Sequence, residues 1–394
     1  CTVTCPNGFD MSQVCRSARE NMVSTDKMPL APHEFALMDM LFSNSEAFLC
    51  KPQPGFDTCR YVFFPGCQAG AIAPDVVMDA YEDLCARVEG GVGLILGCCG
   101  AISEWAGRYE MTEKVNEQMK QALAKLGDPV IIAGCPSCMK QLKENTGAEV
   151  RGIWEILKEI GLPGKARGLE IPVAIHDACG ARGDTRTQDT IRELLMEMGC
   201  TVEDTEYSRD LSPCCGYGGL TAYANKEMAA KMTEKCLERS DAPYITYCMA
   251  CRDRFAREGR ESRHILELLY GDNACNMPDI SEKRYNRLVL KEKLLKNIWN
   301  EELMMEKKDY TVAYTEDAIR MMDERMILKS DVEHVLADYR ESREAVFDEE
   351  TKELVTRSRL GNVTFWVRFV ETEEGYLVRR AYSHRMNIMK RVGQ

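Results

Sequence analysis

Short apolar runs alternate along most of the chain with longer stretches of helical periodicity. The runs are Tyr61-Val-Phe-Phe64, Gly91-Val-Gly-Leu-Ile-Leu96, Val130-Ile-Ile-Ala133, Ile171-Pro-Val-Ala-Ile175, Leu211-Ser-Pro213 and Tyr244-Ile-Thr-Tyr247. Runs of this length, continuous rather than alternating, predict strands buried on both faces. Helices are expected over Pro74 to Val88, Met111 to Leu126, Thr187 to Met198 and Asn225 to Arg239. The order strand, helix, strand predicts β-α-β units around a parallel sheet, the fold class being α/β with two pseudo-symmetric, Rossmann-like halves. Farther on the pattern changes. Thr315 to Met326 and Ser330 to Tyr339 read as helices, the second with a Ser330/Glu333 capping box. Val363 to Val370 and Tyr376 to Tyr382 alternate around a Glu-Glu-Gly turn, a hairpin signal that predicts a small α+β domain.

The runs repeat. Each leads into a cysteine motif, and the motifs recur in the same order after offsets of 112, 116 and 113 residues. The first set is Cys67, then 30 residues, Cys98-Cys99, then 35 residues, and Cys135-x-x-Cys138; the second is Cys179, 34 residues, Cys214-Cys215, 32 residues, and Cys248-x-x-Cys251. Parallel strands would place these thiols at their C-terminal ends, where open α/β sheets build ligand sites. The expected organisation is a segment 1–30, a linker 31–60, repeat domains 61–168 and 169–278, a helical connector 279–310 and an α+β appendage 311–394 that docks or packs.

Composition narrows the chemistry. The chain has 394 residues, 45% hydrophobic, a formal net charge of −12 and a pI near 5.2, so it is expected to be globular and to be repelled by nucleic acid. No apolar stretch approaches the roughly 18 residues of a membrane helix, which leaves only peripheral membrane association open. Nineteen cysteines in so long a chain, grouped as Cys-Cys and Cys-x-x-Cys, read as thiolate ligands in a reducing cytoplasm better than as a disulfide scaffold. Five thiols per set is one more than a tetrahedral zinc ion or an ordinary cubane cluster takes. Adjacent cysteines reach two neighbouring irons more readily than one ion. Zinc ligation and inert burial stay open beside the iron-sulfur reading.

Both sets resemble the CCG cysteine-rich domain of the heterodisulfide reductase B subunit and its relatives, over about residues 61 to 275. The resemblance implies two [4Fe-4S] clusters, of a non-cubane kind, that split a disulfide-type substrate, with a flavoprotein or ferredoxin-like electron donor. It implies all ten motif cysteines as ligands. An electron relay without a substrate site, or a zinc-stabilised interaction module, are the other readings. Glycines beside the thiols, Gly100 and Gly216 above all, bring backbone N–H groups toward cluster sulfur or simply make tight turns. His176 and Asp177, just ahead of Cys179, stand as proton donors or as structural groups. Cys1-x-x-x-Cys5-Pro6 resembles the tail of a two-cluster ferredoxin module. A further ferredoxin-type cluster would need cysteines upstream, where the native protein is expected to extend. The other cysteines, and the histidines at 33, 264, 334 and 384, carry no spacing signal.

Overall fold

The computed structural model describes residues 5–27, 33–271, 276–302, 309–360 and 363–384. The chain divides into two units, one of residues 1–277 with 283–302, the other of 278–282 with 303–394.

The first unit holds two sheets. β1 (Leu49–Lys51), β2 (Tyr61–Phe64), β3 (Val92–Leu96), β4 (Val130–Ala133) and β5 (Val150–Gly152) lie in the order β1-β3-β2-β4-β5, with β1 antiparallel to β3 and the other pairs parallel. β6 (Val173–His176), β7 (Val202–Asp204), β8 (Tyr244–Thr246) and β9 (Ser262–His264) form a second sheet, ordered β7-β6-β8-β9 and parallel throughout. Setting β1 aside, the two sheets share one strand order. β3 and β6 are buried at every residue, as strands covered by helices on both faces must be.

The repeat helices follow the expected pattern at Pro74–Arg87, Tyr109–Lys125, Thr185–Glu197 and Lys226–Leu237. One strand does not. Leu211 to Pro213 is a short 3-10 turn and loop, and the second strand of the second half is Val202–Asp204 instead. Its two acidic residues are exposed at the sheet edge, so neither an apolar run nor alternation marks it. Within the segment 31–60 expected as a linker lie the helix Glu34–Ser43 and β1. The N-terminal residues described include a helix, Met11–Ser24.

The expected charged connector is the helix Ile280–Trp299, and from Lys283 onward it packs into the first unit. Leu290, Leu294 and Leu295 are buried, and so is Arg287, which donates to both carboxylate oxygens of Asp39 at 2.7 and 3.0 Å and to the Cys67 carbonyl at 2.9 Å. A mixed-charge helix usually marks a solvated face; here one of its charges is spent inside.

The two halves interlock at the cysteine loops. Trp154 of the first half is fully buried and its indole N–H donates to Thr187 Oγ1 of the second at 3.1 Å. Gly180, beside Cys179, lies so close to the helix Pro136–Thr146 that a Cβ there would stand 2.8 Å from the Ser137 nitrogen.

In the second unit, β10 (Thr311–Tyr314), β11 (Val346–Asp348), β12 (Glu353–Leu360), β13 (Val363–Thr372) and β14 (Gly375–His384) lie in the order β10-β14-β13-β12-β11. β13 and β14 form the expected hairpin, and β10 joins β14 in parallel. Helices Glu316–Arg325 and Lys329–Ser342 cover one face around Met322, Val335, Leu336, Val367 and Phe369. The second helix starts one residue before Ser330, and the box-like contact at its start is the Asp331 carboxylate accepting from the Leu328 N–H at 2.9 Å.

Candidate metal centre

Every strand that leads to a motif ends two or three residues before its cysteine: Phe64 before Cys67, Leu96 before Cys98, Ala133 before Cys135, His176 before Cys179 and Thr246 before Cys248. The turns that follow expose the thiols to helix N-termini. Cys135 and Cys248 are N-cap residues of the helices Pro136–Thr146 and Met249–Arg257, so Cys138 and Cys251 sit in the first turns. The unsatisfied N–H groups and positive dipole end there favour thiolate over thiol.

Ten sulfurs from six loops meet as one line. Side-chain contacts run from Cys67 to Cys98, Cys98 to Cys99, Cys99 to Cys138 and Cys138 to Cys135. They cross between the sets from Cys135 to Cys248, then continue from Cys248 to Cys251, Cys251 to Cys215, Cys215 to Cys214 and Cys214 to Cys179. The Cys251 thiol donates to Cys215 Sγ at 3.2 Å. Around them lies a cleft lined by nine of the ten cysteines, the exception being Cys214, together with Trp105, Tyr217 and small apolar residues.

So many buried thiols cannot ionise together. Hydrogen bonds from Cys138 and Cys98 pull the Cys99 pKa down to about 6, and those from Cys179 and Cys215 pull Cys214 down to about 2. Their neighbours are driven the other way: Cys215 upward by its contact with Cys214, and Cys248 up to about 12 by its contact with Cys135. Full thiolate ligation at all ten positions therefore needs compensating cations within the cleft. Five thiols per set suit iron and inorganic sulfide, being one more than a lone tetrahedral ion takes. Among the described residues no three His, Cys, Asp or Glu side chains form a group that could hold a single metal.

Gly100 and Gly216 occupy equivalent places. Both have positive φ, +86° and +91°, a conformation glycine adopts without strain, at the turn where their N–H groups meet the sulfur two residues back. Gly216 N donates to Cys214 Sγ at 3.4 Å, and Gly100 N–H bonds Cys98 in the same way, yet the Cys98 pKa is raised, because the contact with Cys99 and burial outweigh the downward pulls of Cys67 and Gly100.

His176 and Asp177 line none of the cavity. Burial would raise the Asp177 pKa, but hydrogen bonds and charge from Arg192 bring it below the usual carboxylate range. Its oxygens accept from Arg192 at 3.0 and 2.9 Å, from Tyr247 Oη at 2.9 Å and from Arg209 N at 2.6 Å. A carboxylate so engaged ties β6 to its helix. The His176 ring packs edge-on against Phe255 with centroids 4.8 Å apart, and burial lowers its pKa to about 4, so it is neutral at pH 7. Cys5 stands in a turn before the helix Met11–Ser24 and lines none of the cleft, and Cys1 falls outside the described residues. Some cysteines without a matched spacing do structural work: Cys200 Sγ accepts from Leu169 N at 3.4 Å, and Cys236 donates to the Cys214 carbonyl at 3.5 Å.

Sequence patterns missed the charged groups that brace the site. Arg287 lies under Cys67, and Arg252, next to Cys251, forms an ion pair with Glu267 in which both side chains are at most 1% exposed. Only the position of Arg252 one residue after a motif hinted at either.

Among the described residues no helix is long and apolar enough to cross a membrane. Residues 61–143 and 173–256 each match the family model of a cysteine-rich domain, CCG. The chain is 28% identical over 167 residues, 41% of its length, to an uncharacterized iron-sulfur protein of Methanocaldococcus jannaschii, and 28% identical over 205 residues, 49% of its length, to one of Methanococcus maripaludis. These matches span 32% and 40% of the two relatives' own lengths. No solved structure matches. Both repeats thus match the cysteine-rich CCG domain model in tandem, and the motif thiols of the two matches meet in a single line of contacts.

Proposed function

We propose that the two five-cysteine sets hold two [4Fe-4S] clusters of the non-cubane kind, and that the protein is a heterodisulfide reductase-like oxidoreductase subunit. It takes electrons from a ferredoxin-like or flavoprotein donor and passes them to a disulfide-type acceptor in the cytoplasm. The observation that carries this reading is the meeting of the sets at Cys135 and Cys248 inside a single apolar cleft. A relay needs two centres near each other; a substrate site also needs room and a nonpolar wall, which Trp105 and Tyr217 supply.

When bound, clusters supply the one-electron chemistry. The chain's own residues do the rest. The helix N-termini and the Gly100 and Gly216 N–H groups favour the ionised form of the sulfurs they face, the apolar lining limits water, and Arg287 sets a fixed positive charge beside Cys67. These are the levers that tune a cluster's potential.

Iron and acid-labile sulfide on anaerobically purified protein should each come to about eight per chain. Oxidation in the presence of a thiol should produce an electron paramagnetic resonance signal that is absent without the thiol. Stoichiometric zinc with little iron would overturn the reading. Arg287→Met gives a second check. A cation near a centre favours its more negative, reduced form, so the midpoint potential of one centre should fall in a redox titration while the other's holds. Stability should drop as well, by about 2 kcal/mol, because Asp39 loses its two-pronged partner and keeps only Arg284 among the described residues, at 4.0 Å.

A further inference from the structure

Outside the cleft, a group of side-chain nitrogens is buried without hydrogen-bond partners among the described residues: Arg19 Nε, Arg108 Nε and Nη2, and His33 Nδ1. A buried N–H left unpaired costs about 1–3 kcal/mol, and more when charged, so a cluster of them calls for a ligand.

The three residues come from different elements that converge. A Cβ on Gly107 would stand 2.9 Å from the Arg19 backbone, which sets the helix Met11–Ser24 against the residue just before Arg108. His33 is the N-cap of the helix Glu34–Ser43 and only 5% exposed. Ala36 and Leu37 of its helix pack in one core cluster with Ile102 and Ala106, two residues before Arg108, and after burial itself the charges that depress the His33 pKa are those of Arg108 and Arg19. Residues 28–32, Met-Pro-Leu-Ala-Pro, contain no acid. The neighbouring arginine on the same helix shows the usual arrangement: Arg16 pairs with Glu20 at 2.9 Å and with Glu104 at 3.5 Å.

We infer that Arg19, His33 and Arg108 form a binding site for one small oxyanion, a phosphate, carboxylate or sulfonate. Two arginine forks supply charge-assisted donors and the buried histidine, the N-cap of the helix Glu34–Ser43, adds a third nitrogen. The site borders the cleft. Arg19 Nη1 lies 3.8 Å from where a Gly219 side chain would begin, one residue beyond the cavity-lining Gly218, and Arg108 follows the cavity-lining Trp105 by three residues. An organic acid held there would extend toward the thiols; a free inorganic anion would fill the site alone. The inference does not depend on which metal the cysteines hold.

The test is protection of arginine from phenylglyoxal on the intact protein, read by mass spectrometry at constant ionic strength with chloride as the reference. Inorganic phosphate, acetate and methanesulfonate are compared. Arg19 and Arg108 should be protected at least tenfold by one of them, while Arg16 is unaffected. Protection by phosphate alone assigns an inorganic phosphate or phosphomonoester; protection by acetate or methanesulfonate assigns an organic acid. Calorimetry should find one site, weakened at least tenfold in Arg108→Gln and less in Arg108→Lys, with iron content unchanged in both. Equal modification of all three arginines under every anion overturns the inference.

Discussion

Replacing Cys98 and Cys99 together with alanine is expected to remove about half of the bound iron, from about eight to about four per chain. The mirror variant, Cys214→Ala with Cys215→Ala, should remove the other half. Each Cys-Cys pair sits in the middle of its own five-thiol line, so deletion interrupts that line at its centre: Cys67 is cut off from Cys138, or Cys179 from Cys251. The remaining set keeps all five donors and its own helix N-termini. Metal analysis together with electron paramagnetic resonance reads the result directly. The contact between Cys135 and Cys248 makes the outcome informative, because a continuous row of ten sulfurs is also the shape of one shared assembly. Loss of all iron from either variant would mean that the sets hold a single undivided centre, and would sink the two-cluster reading. Single replacement of Cys135 is the finer probe. If two centres are independent, it should impair the first set and leave the signal of the second in place.

The ten thiols were legible because they obey a rule the sequence displays openly: buried parallel strands appear as unbroken apolar runs, and ligands gather at their ends. Tyr61–Phe64 and Val130–Ala133 are such runs, and both are strands with those bounds. What stayed hidden belongs to edges and to long-range pairs. Val202–Asp204 presents acidic side chains at a sheet edge, and the three-residue strands β1, β5 and β9 are too short to establish a period. The helix Ile280–Trp299 looked solvated since its charges alternate with apolar residues, yet Arg287 finds Asp39 across 248 positions. Nothing local marks a charge that will be buried by a distant partner. The crossing of the sets at Cys135 and Cys248 is likewise a product of how the halves interlock, through Gly180 against Ser137 and Trp154 against Thr187. Spacing assigned five thiols to each set but carried no information on how the sets face each other.

The second large effect is expected at Glu267. Its carboxylate accepts from Arg252 Nη2 at 2.7 Å and Nε at 3.2 Å, and from His264 N at 2.7 Å, with the Arg252 side chain wholly buried. Glu267→Ala removes the counter-charge of a fully buried guanidinium, which keeps its hydrogen bond to the Asn276 carbonyl but loses its carboxylate, at a cost of about 3–5 kcal/mol. Arg252 lies on the helix that begins at Cys248 and carries Cys251, so the loss should fall first on the second set. Urea unfolding should show the drop in stability, and iron retention during dialysis should show the second set emptying before the first. The double variant Arg252→Met with Glu267→Leu separates charge from shape. By replacing both ions with apolar groups of similar length it avoids the unpaired charge, and it should recover most of the lost stability. Failure to recover would assign the effect to the Arg252 and Glu267 hydrogen bonds themselves, including the one to His264 N, rather than to an uncompensated charge. Retention of parental stability in Glu267→Ala would mean that Arg252 finds another acceptor there, and that the helix bearing Cys248 and Cys251 does not depend on this pair.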